Sequence, residues 1–242
     1  MHPPRSNKLE YAIWIGSEMR RKYLFLLAAH KLFHFFNRQR TVTYVGKKAV
    51  DSNIHIFNKY GYFFGPAKES LRIYVAIELA KLFEDSDLPR NKNPKHKKLT
   101  VEQTLRFLET NINNFNKKEI ERRYKKEHKV GIASSFEEIS SNDIKKIRRR
   151  IKNNFKKIKA VNDFRDHALA HNDLVKTPNK KINSRDVTTL LNIVEDVVDL
   201  IYLKLTVSSN SYRNFRLEPI RHLDMLMKDL KQYDKDFRAS FE

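Results

Sequence analysis

Glycine and proline, the residues that most often interrupt helices and form tight turns, are scarce in this chain. Only 5 glycines and 7 prolines occur among 242 residues, and so few turn residues favour long helices over a sheet protein with many turns. Apolar residues recur at three- and four-residue steps in several segments, most clearly in a heptad-like stripe over residues 187–205. The sequence therefore predicts an all-α protein, mainly a helical bundle.

The predicted helices form a single domain over residues 1–242, with a core from about residue 66 to residue 205. Helices over residues 9–37 and 218–237 are predicted to pack on this core. Residues 41–64 differ from the rest, because β-branched and aromatic residues stand there among glycines and polar turn residues. We expect this segment to form either a small hairpin or an irregular insertion.

Residues that favour helix ends predict where several helices begin. A helix is expected to open at Gly65-Pro66, since proline suits a first helical turn. Thr100 and Ser184 are predicted N-caps. A long basic helix is expected to begin at Asn142 or Asp143.

The chain contains no cysteine, which excludes disulfides, thiolate-bound zinc, iron–sulfur clusters and a cysteine nucleophile. Its most apolar N-terminal stretch, residues 11–36, is interrupted by Glu18 and by three consecutive basic residues from Arg20 to Lys22. No run of about 20 apolar residues is therefore present to form a membrane span. We expect a cytoplasmic protein that binds no membrane and requires no cofactor or metal.

Positive charge is concentrated in one part of the chain. The formal net charge is +20, and residues 117–159 hold 16 lysines or arginines against 6 aspartates or glutamates. Such a basic segment indicates a polyanionic partner, and nucleic acid is the commonest one. An anionic membrane surface and a merely solvated helix face are the alternatives. We expect RNA or DNA to bind along this segment.

The long basic helix has one apolar side and one cationic side. The apolar side consists of Ile144, Ile147, Ile151, Phe155 and Ile158. The cationic side consists of Lys145, Arg148, Arg149, Lys152, Lys156 and Lys159.

Arg165 continues the apolar side, where a cation is costly unless a polar or anionic group meets it. His171 lies nearer the cationic side, about 120° from Arg165 on a straight helix. Either the helix ends near Ala170, or a working site combines residues of two subunits.

The run Phe164 to Asp173, with the sequence FRDHALAHND, resembles the Arg-x(4–6)-His motif of the HEPN superfamily. It is close to the Arg-Asx-x-x-x-Ala-His form of the abortive-infection and toxin branches. Arg165 matches the motif arginine, Asp166 the polar position after it, and His171 the motif histidine. His167 departs from the pattern, because related members often carry lysine or arginine there. The resemblance extends over about residues 66–205.

The resemblance implies a homodimer, formed through the motif helix and the 184–205 helix, that cleaves RNA without a metal. His171 would take a proton from a ribose 2′-hydroxyl, Arg165 would stabilise charge on the phosphate oxygens, and Asp166 would orient one of them. The expected products carry 2′,3′-cyclic phosphate and 5′-hydroxyl ends. The substrate would be tRNA or mRNA, and the protein a toxin or antiphage effector controlled by an antitoxin or a phage-derived trigger. The predicted RNA-binding residues are Arg148, Arg149, Lys152, Lys156, Lys159 and His167.

Two other functions fit the same residues. A HEPN-like dimer without cleavage activity would bind RNA or a partner protein. Alternatively, His167 and His171 have the spacing of two metal ligands on one helix, with Asp163 or Asp173 as a third ligand. Glu78, which stands among apolar residues of its helix, is either a partner of the motif or a surface residue.

Overall fold

The computed structural model describes residues 7–84, 99–126, 137–170, 182–206 and 213–239. Within these residues all regular secondary structure is helical, with ten α-helices, one short 3-10 helix and no β-strand. The prediction of an all-α protein is therefore confirmed. None of the described helices combines the length and the apolar character that crossing a membrane requires.

The helices are numbered in chain order. They are α1 (Lys8–Arg38), α2 (Val42–Val45), α3 (Lys47–Lys59), α4 (Gly61–Leu82), α5 (Val101–Thr110), α6 (Lys117–Lys126), α7 (Ser141–Asn153), α8 (Phe155–Ala170), α9 (Ser184–Leu205) and α10 (Arg213–Ala239). The 3-10 helix, Ile112–Asn114, lies between α5 and α6.

Residues 41–64, for which a hairpin or an irregular insertion was predicted, are helical instead. They form α2, α3 and the start of α4. The buried residues of α3 include Asn53, Ile56 and Phe57, at the three- and four-residue steps that place side chains on one helix face. The prediction was wrong because it weighted the aromatic and β-branched content above this spacing. Gly46, with φ 79°, joins α2 to α3 in a backbone conformation that favours glycine.

Side-chain caps fix the starts of three helices. Thr100 caps α5 by accepting a backbone hydrogen bond at 3.2 Å, as predicted. Ser140 and Asp143 form a reciprocal capping box, so α7 begins slightly before the predicted position. Asn183, rather than Ser184, caps α9. The predicted helix that opens at Pro66 begins earlier, at Gly61, with the proline inside α4.

The chain forms two compact units. The first comprises Met1–Tyr23 and Ala76–Asn210, and the second comprises Leu24–Val75 and Ser211–Glu242. Helices α1 and α4 each contribute residues to both units. A single domain over the whole chain stays a prediction.

The first unit is organised around α9, which packs against α5, α7 and α8. The stripe predicted on this helix is buried, and the buried residues are Val187, Leu190, Leu191, Ile193, Val194, Val197, Val198, Leu200, Ile201 and Leu205. Helix α1 approaches α9 so closely that a Cβ atom at Gly16 would lie 2.5 Å from Cγ2 of Ile201. The helix that carries the motif, α8, is thus supported by the best-packed helix of this unit.

The second unit has an aromatic core and a small polar cluster. Its buried apolar residues are Phe35, Phe36, Ile56, Phe57, Phe64 and Met227. Helix α10 packs against α3, and Asp234 of α10 is buried, with Lys59 of α3 as its ion-pair partner and Nε2 of His55 at hydrogen-bond distance, 3.1 Å. Because a buried carboxylate is costly without such partners, this cluster helps to hold α10 on α3.

Candidate functional site

The predicted long basic helix is divided into two helices at Asn154, upstream of the motif run that begins at Phe164. Helix α7 ends at Asn153 and α8 begins at Phe155. The side-chain amide of Asn154 donates a hydrogen bond of 2.8 Å to the backbone carbonyl of Arg150, and such local bonds compete with helix continuation. Phe155 was predicted on the apolar side of one continuous helix. That prediction was wrong, because 64% of Phe155 is exposed.

Arg165 lies on α8 and is largely shielded, with 18% of its side chain exposed. The neighbouring residues Val161 and Phe164 are buried and anchor this part of the helix. The guanidinium donates from Nε to Oδ1 of Asp166 at 2.9 Å, and Nη2 lies 2.8 Å from the same oxygen. Nη1 lies 3.7 Å from Oε1 of Glu84. Two carboxylates therefore contact Arg165, the cation that was predicted to continue the apolar side of the helix.

The two carboxylates differ in how easily each gives way to another anion. Asp166 has 64% of its side chain exposed, whereas Glu84 has 22% exposed. Solvent weakens the ion pair with the more exposed Asp166, so an incoming phosphate can displace Asp166 more easily than Glu84. Arginine carries five N–H donors; Asp166 accepts a hydrogen bond from Nε and lies at ion-pair distance from Nη2. The arrangement holds the guanidinium of Arg165 in place and leaves donors for an incoming phosphate.

Glu84 is a functional candidate that the sequence analysis missed. The sequence instead suggested Glu78 as a partner of the motif or a surface residue. In the structure Glu78 forms ion pairs with Lys22 at 3.8 Å and with Lys81 at 2.5 Å. Glu78 is therefore bound to surface lysines, not to the motif. The only signal for Glu84 in the sequence is its position just after the end of α4.

The motif histidine lies outside the described residues. This holds for His171, for the side chain of His167 and for Asp173. Their predicted roles as base, phosphate contact and metal ligand stay predictions. Among the side chains that the structure does describe, no group of three or more histidines, aspartates or glutamates is arranged to hold a metal ion.

The cations of α7 and α8 fall into two classes. In the exposed class are four of the predicted RNA-binding residues, namely Arg149, Lys152, Lys156 and Lys159. Within the described ranges no carboxylate lies at ion-pair distance from any of these four. We call them, together with the exposed Phe155, the cationic face. A solvent-exposed row of cations with an aromatic ring among them is the composition that binds single-stranded nucleic acid.

Arg148 belongs to the second class, in which cations join helices together. Its Nη1 lies 2.6 Å from Glu109 and its Nη2 lies 3.0 Å from Glu102, both on α5. Burial would lower the pKa of Arg148, but hydrogen bonds and charge from Glu109 and Glu102 outweigh burial and raise that pKa above its usual range. Because its guanidinium holds α7 on α5, we leave Arg148 out of the RNA-binding surface.

Two further cations fasten α7 and α8 to α9. Arg150 forms an ion pair with Asp196. Lys157 lies 3.6 Å from Asp186 and 3.3 Å from the hydroxyl oxygen of Thr189. Cations that face α5 or α9 are thus neutralised by acidic partners, and the cationic face points away from these helices.

Comparison with known proteins identifies one family. The model of the family HEPN AbiU2, described as AbiU2, matches residues 24–226, which is most of the chain. Searches of curated proteins and of solved structures found no match.

Proposed function

The chain belongs to the AbiU2 family of HEPN domains, and we propose that it is a metal-independent endoribonuclease with an abortive-infection role. The observation that supports this proposal is the way in which the side chain of Arg165 is held. Its guanidinium is shielded and oriented by Asp166 and Glu84, and it lies on the same helix as part of the cationic face. Lys159 and Arg165 are about 9 Å apart along the axis of α8. Because the two residues are also about 120° apart around that axis, an RNA strand that binds the cationic face must turn around α8 to bring a phosphate near Arg165.

The proposed reaction is an internal transfer of the phosphodiester. The imidazole of His171, with a reference pKa of about 6.5, takes the proton of a ribose 2′-hydroxyl. The 2′-oxygen attacks the adjacent phosphorus while the bond from phosphorus to the 5′-oxygen breaks. His171 of the partner subunit gives its proton to the leaving 5′-oxygen. The products are a 2′,3′-cyclic phosphate and a 5′-hydroxyl, and DNA is spared because it lacks the attacking hydroxyl.

Arg165 acts on the charge that develops during this reaction. Its N–H groups donate to the non-bridging oxygens of the phosphorane, where charge-assisted hydrogen bonds are strongest. Glu84 and Asp166 are positioning residues, because they contact the guanidinium and fix its orientation before a phosphate arrives. A pre-oriented donor costs no reorganisation at the moment of reaction.

The substrate is proposed to be single-stranded RNA, such as an exposed part of a tRNA or mRNA. Arg149, Lys152, Lys156 and Lys159 would bind successive phosphates, and Phe155 would stack on a base. His167 would add a phosphate contact that strengthens when its ring is protonated. A homodimer through α8 and α9, and control by an antitoxin or a phage-derived trigger, complete the proposal.

The experiment is cleavage of total RNA by the purified full-length protein in excess chelator, with analysis of fragment ends. We expect cleavage with 2′,3′-cyclic phosphate ends, and loss of cleavage in His171→Ala and Arg165→Ala. His222→Ala and Arg221→Ala, at exposed positions in α10, are matched controls that keep full activity. Circular dichroism confirms that each variant is folded.

Two other outcomes separate the alternatives. If the parent protein binds RNA, cuts nothing, and retains affinity in His171→Ala, it is a non-catalytic binding dimer. If cleavage vanishes in chelator and returns with added metal ions, the paired histidines His167 and His171 act as metal ligands. Either outcome refutes the proposed function.

A further inference from the structure

A cavity of about 280 Å³ lies within the second unit. Its walls come from α3, from α4 and from the C-terminal end of α1 with the turn that follows it. The lining residues are Phe36, Arg40, Phe57, Phe64, Gly65, Lys68 and Glu69. This volume is near the lower end of the range for small-molecule sites, which is about 300–1,000 Å³.

One wall of the cavity is a rigid group of phenyl rings. The ring centroids of Phe36, Phe57 and Phe64 are 5.0–5.9 Å apart, and each pair meets edge to face. All three side chains are buried. Interlocked rings of this kind form a preformed apolar surface.

Two cations line the cavity, Arg40 against the phenyl wall and Lys68 beside a different ring, that of Phe33. The guanidinium carbon of Arg40 lies 5.1 Å from the ring centroid of Phe57, and Nζ of Lys68 lies 5.9 Å from that of Phe33. Of the carboxylates that the structure describes, none lies at ion-pair distance from Arg40 or Lys68. The acidic lining residue, Glu69, is bound instead by Arg72, whose Nε lies 3.0 Å from both carboxylate oxygens.

The cavity therefore carries an excess of positive charge. Burial and then the charge of Arg40 lower the pKa of Lys68; the charge of Glu69 opposes them, and that of Arg72 adds a smaller lowering effect. A positive charge on Lys68 is thus less favourable than on a fully solvated lysine. An anionic ligand would favour the charged form of Lys68, because its negative charge would pair with both Arg40 and Lys68.

From the cations, the rings and the volume we propose that this cavity binds a nucleoside monophosphate. A phosphate monoester carries about −1.5 to −2 charges at neutral pH, which matches Arg40 and Lys68, the two lining cations that form no ion pair with a carboxylate in the described part of the chain. A planar base matches the phenyl wall. Inorganic phosphate would use only the cations, and a nucleoside would use only the rings. The site lies in the second unit and does not depend on the proposed nuclease activity.

A nucleoside monophosphate group occurs in two kinds of ligand, a free mononucleotide and the 5′-phosphorylated end of an RNA strand. The experiment is isothermal titration calorimetry on the full-length protein at about 0.15 M salt, which limits non-specific attraction to the basic surface. The probes are AMP, CMP, adenosine, inorganic phosphate and a 5′-phosphorylated trinucleotide. If the trinucleotide binds as tightly as AMP, the source is an RNA end; much weaker binding identifies the free nucleotide. Both results agree with the proposal.

The chain offers a matched pair of variants for this test. Gly61 and Gly65 both lie in α4, and a Cβ atom at either would meet nothing within 4 Å. Only Gly65 lines the cavity, so Gly65→Leu fills it without removing a charge, and Gly61→Leu is the control. Lys68→Met removes one charge and keeps most of the side-chain length.

We expect the parent protein and Gly61→Leu to bind AMP with the same affinity. Gly65→Leu and Lys68→Met should bind AMP at least about tenfold more weakly, and adenosine and inorganic phosphate should each bind at least about tenfold more weakly than AMP. Absence of AMP binding by the parent would overturn the proposal. Unchanged AMP binding by Gly65→Leu, or by Lys68→Met, would also overturn it.

Discussion

Replacing His30 with leucine should make the protein less sensitive to acid. Only 4% of His30 is exposed, and its ring lies 4.4 Å from that of His34 in an edge-to-face arrangement. Burial, followed by the charges of His34 and Lys31, lowers the pKa of His30 from 6.5 to about 3. The buried ring therefore stays neutral at pH values where the same ring in the unfolded chain is protonated.

The sign and size of the effect follow from this difference in proton binding. Between about pH 6.5 and pH 3 the unfolded state binds one more proton at His30 than the folded state, so stability falls as pH falls. For each pH unit of acidification in this range, the free energy of unfolding falls by about 1.4 kcal/mol. Between about pH 7.5 and pH 5, His30 should therefore remove about 2 kcal/mol from the free energy of unfolding.

Urea denaturation of the parent and of His30→Leu at both pH values measures this contribution. The pKa of His34 is lowered as well, by burial and then by Arg38 and Lys31. His34 and every other titrating group remain in both proteins, so the difference in acid sensitivity isolates His30. His222→Leu, at an exposed position, is the control. If the parent and His30→Leu lose the same free energy between the two pH values, the reasoning is refuted, whatever their stabilities at neutral pH.

Four other substitutions test the packing and the cationic face. Gly16→Ala should destabilise the protein by about 1–3 kcal/mol, because its methyl group would overlap Ile201. Arg148→Met should lower the free energy of unfolding by about 1–3 kcal/mol and leave two carboxylates without their cation. Arg149→Met should leave stability unchanged, weaken RNA binding and reduce the salt slope by about 1. Phe155→Ala should weaken single-stranded RNA binding by about 1–3 kcal/mol.

Each of these substitutions has a control in the same chain. Gly65→Ala adds a methyl group where space is open, so it should not destabilise the protein. Phe25→Ala removes a similarly exposed ring from the second unit and should leave RNA binding unchanged. Urea denaturation measures stability, and fluorescence anisotropy at several salt concentrations measures RNA binding. Equal effects of Arg148→Met and Arg149→Met on both quantities would contradict the division of the cations into two classes.

Strong periodic patterns could be predicted from the sequence. The apolar stripe of α9 is buried as expected, since a helix with so wide an apolar face has few other ways to pack. The cap at Thr100 was also predictable, because a cap depends only on neighbouring residues. In α3, by contrast, the local composition favoured strands while the helical spacing decided the structure. Tertiary packing of the Phe57 face on the aromatic core stabilises the helix there.

The candidate site was predictable only where its partners are close in the sequence. Asp166 follows Arg165 directly, so their contact needs little more than the chain itself. Glu84 reaches the same guanidinium through the packing of separate helices, which no spacing rule predicts. Arg148 and Arg149 illustrate the same limit. They are adjacent, yet one faces carboxylates on α5 and the other faces solvent, because successive residues of a helix point about 100° apart.

The central claim is that Arg165 and His171 together cleave RNA without a metal ion. Its most direct test is single-turnover cleavage of RNA in excess chelator by the parent, by Arg165→Lys and by His171→Ala. The account predicts cleavage by the parent, none by His171→Ala, and at most a small residual rate for Arg165→Lys, since a lysine cannot donate bidentately to the phosphorane oxygens. Cleavage at the parental rate by His171→Ala would contradict the account.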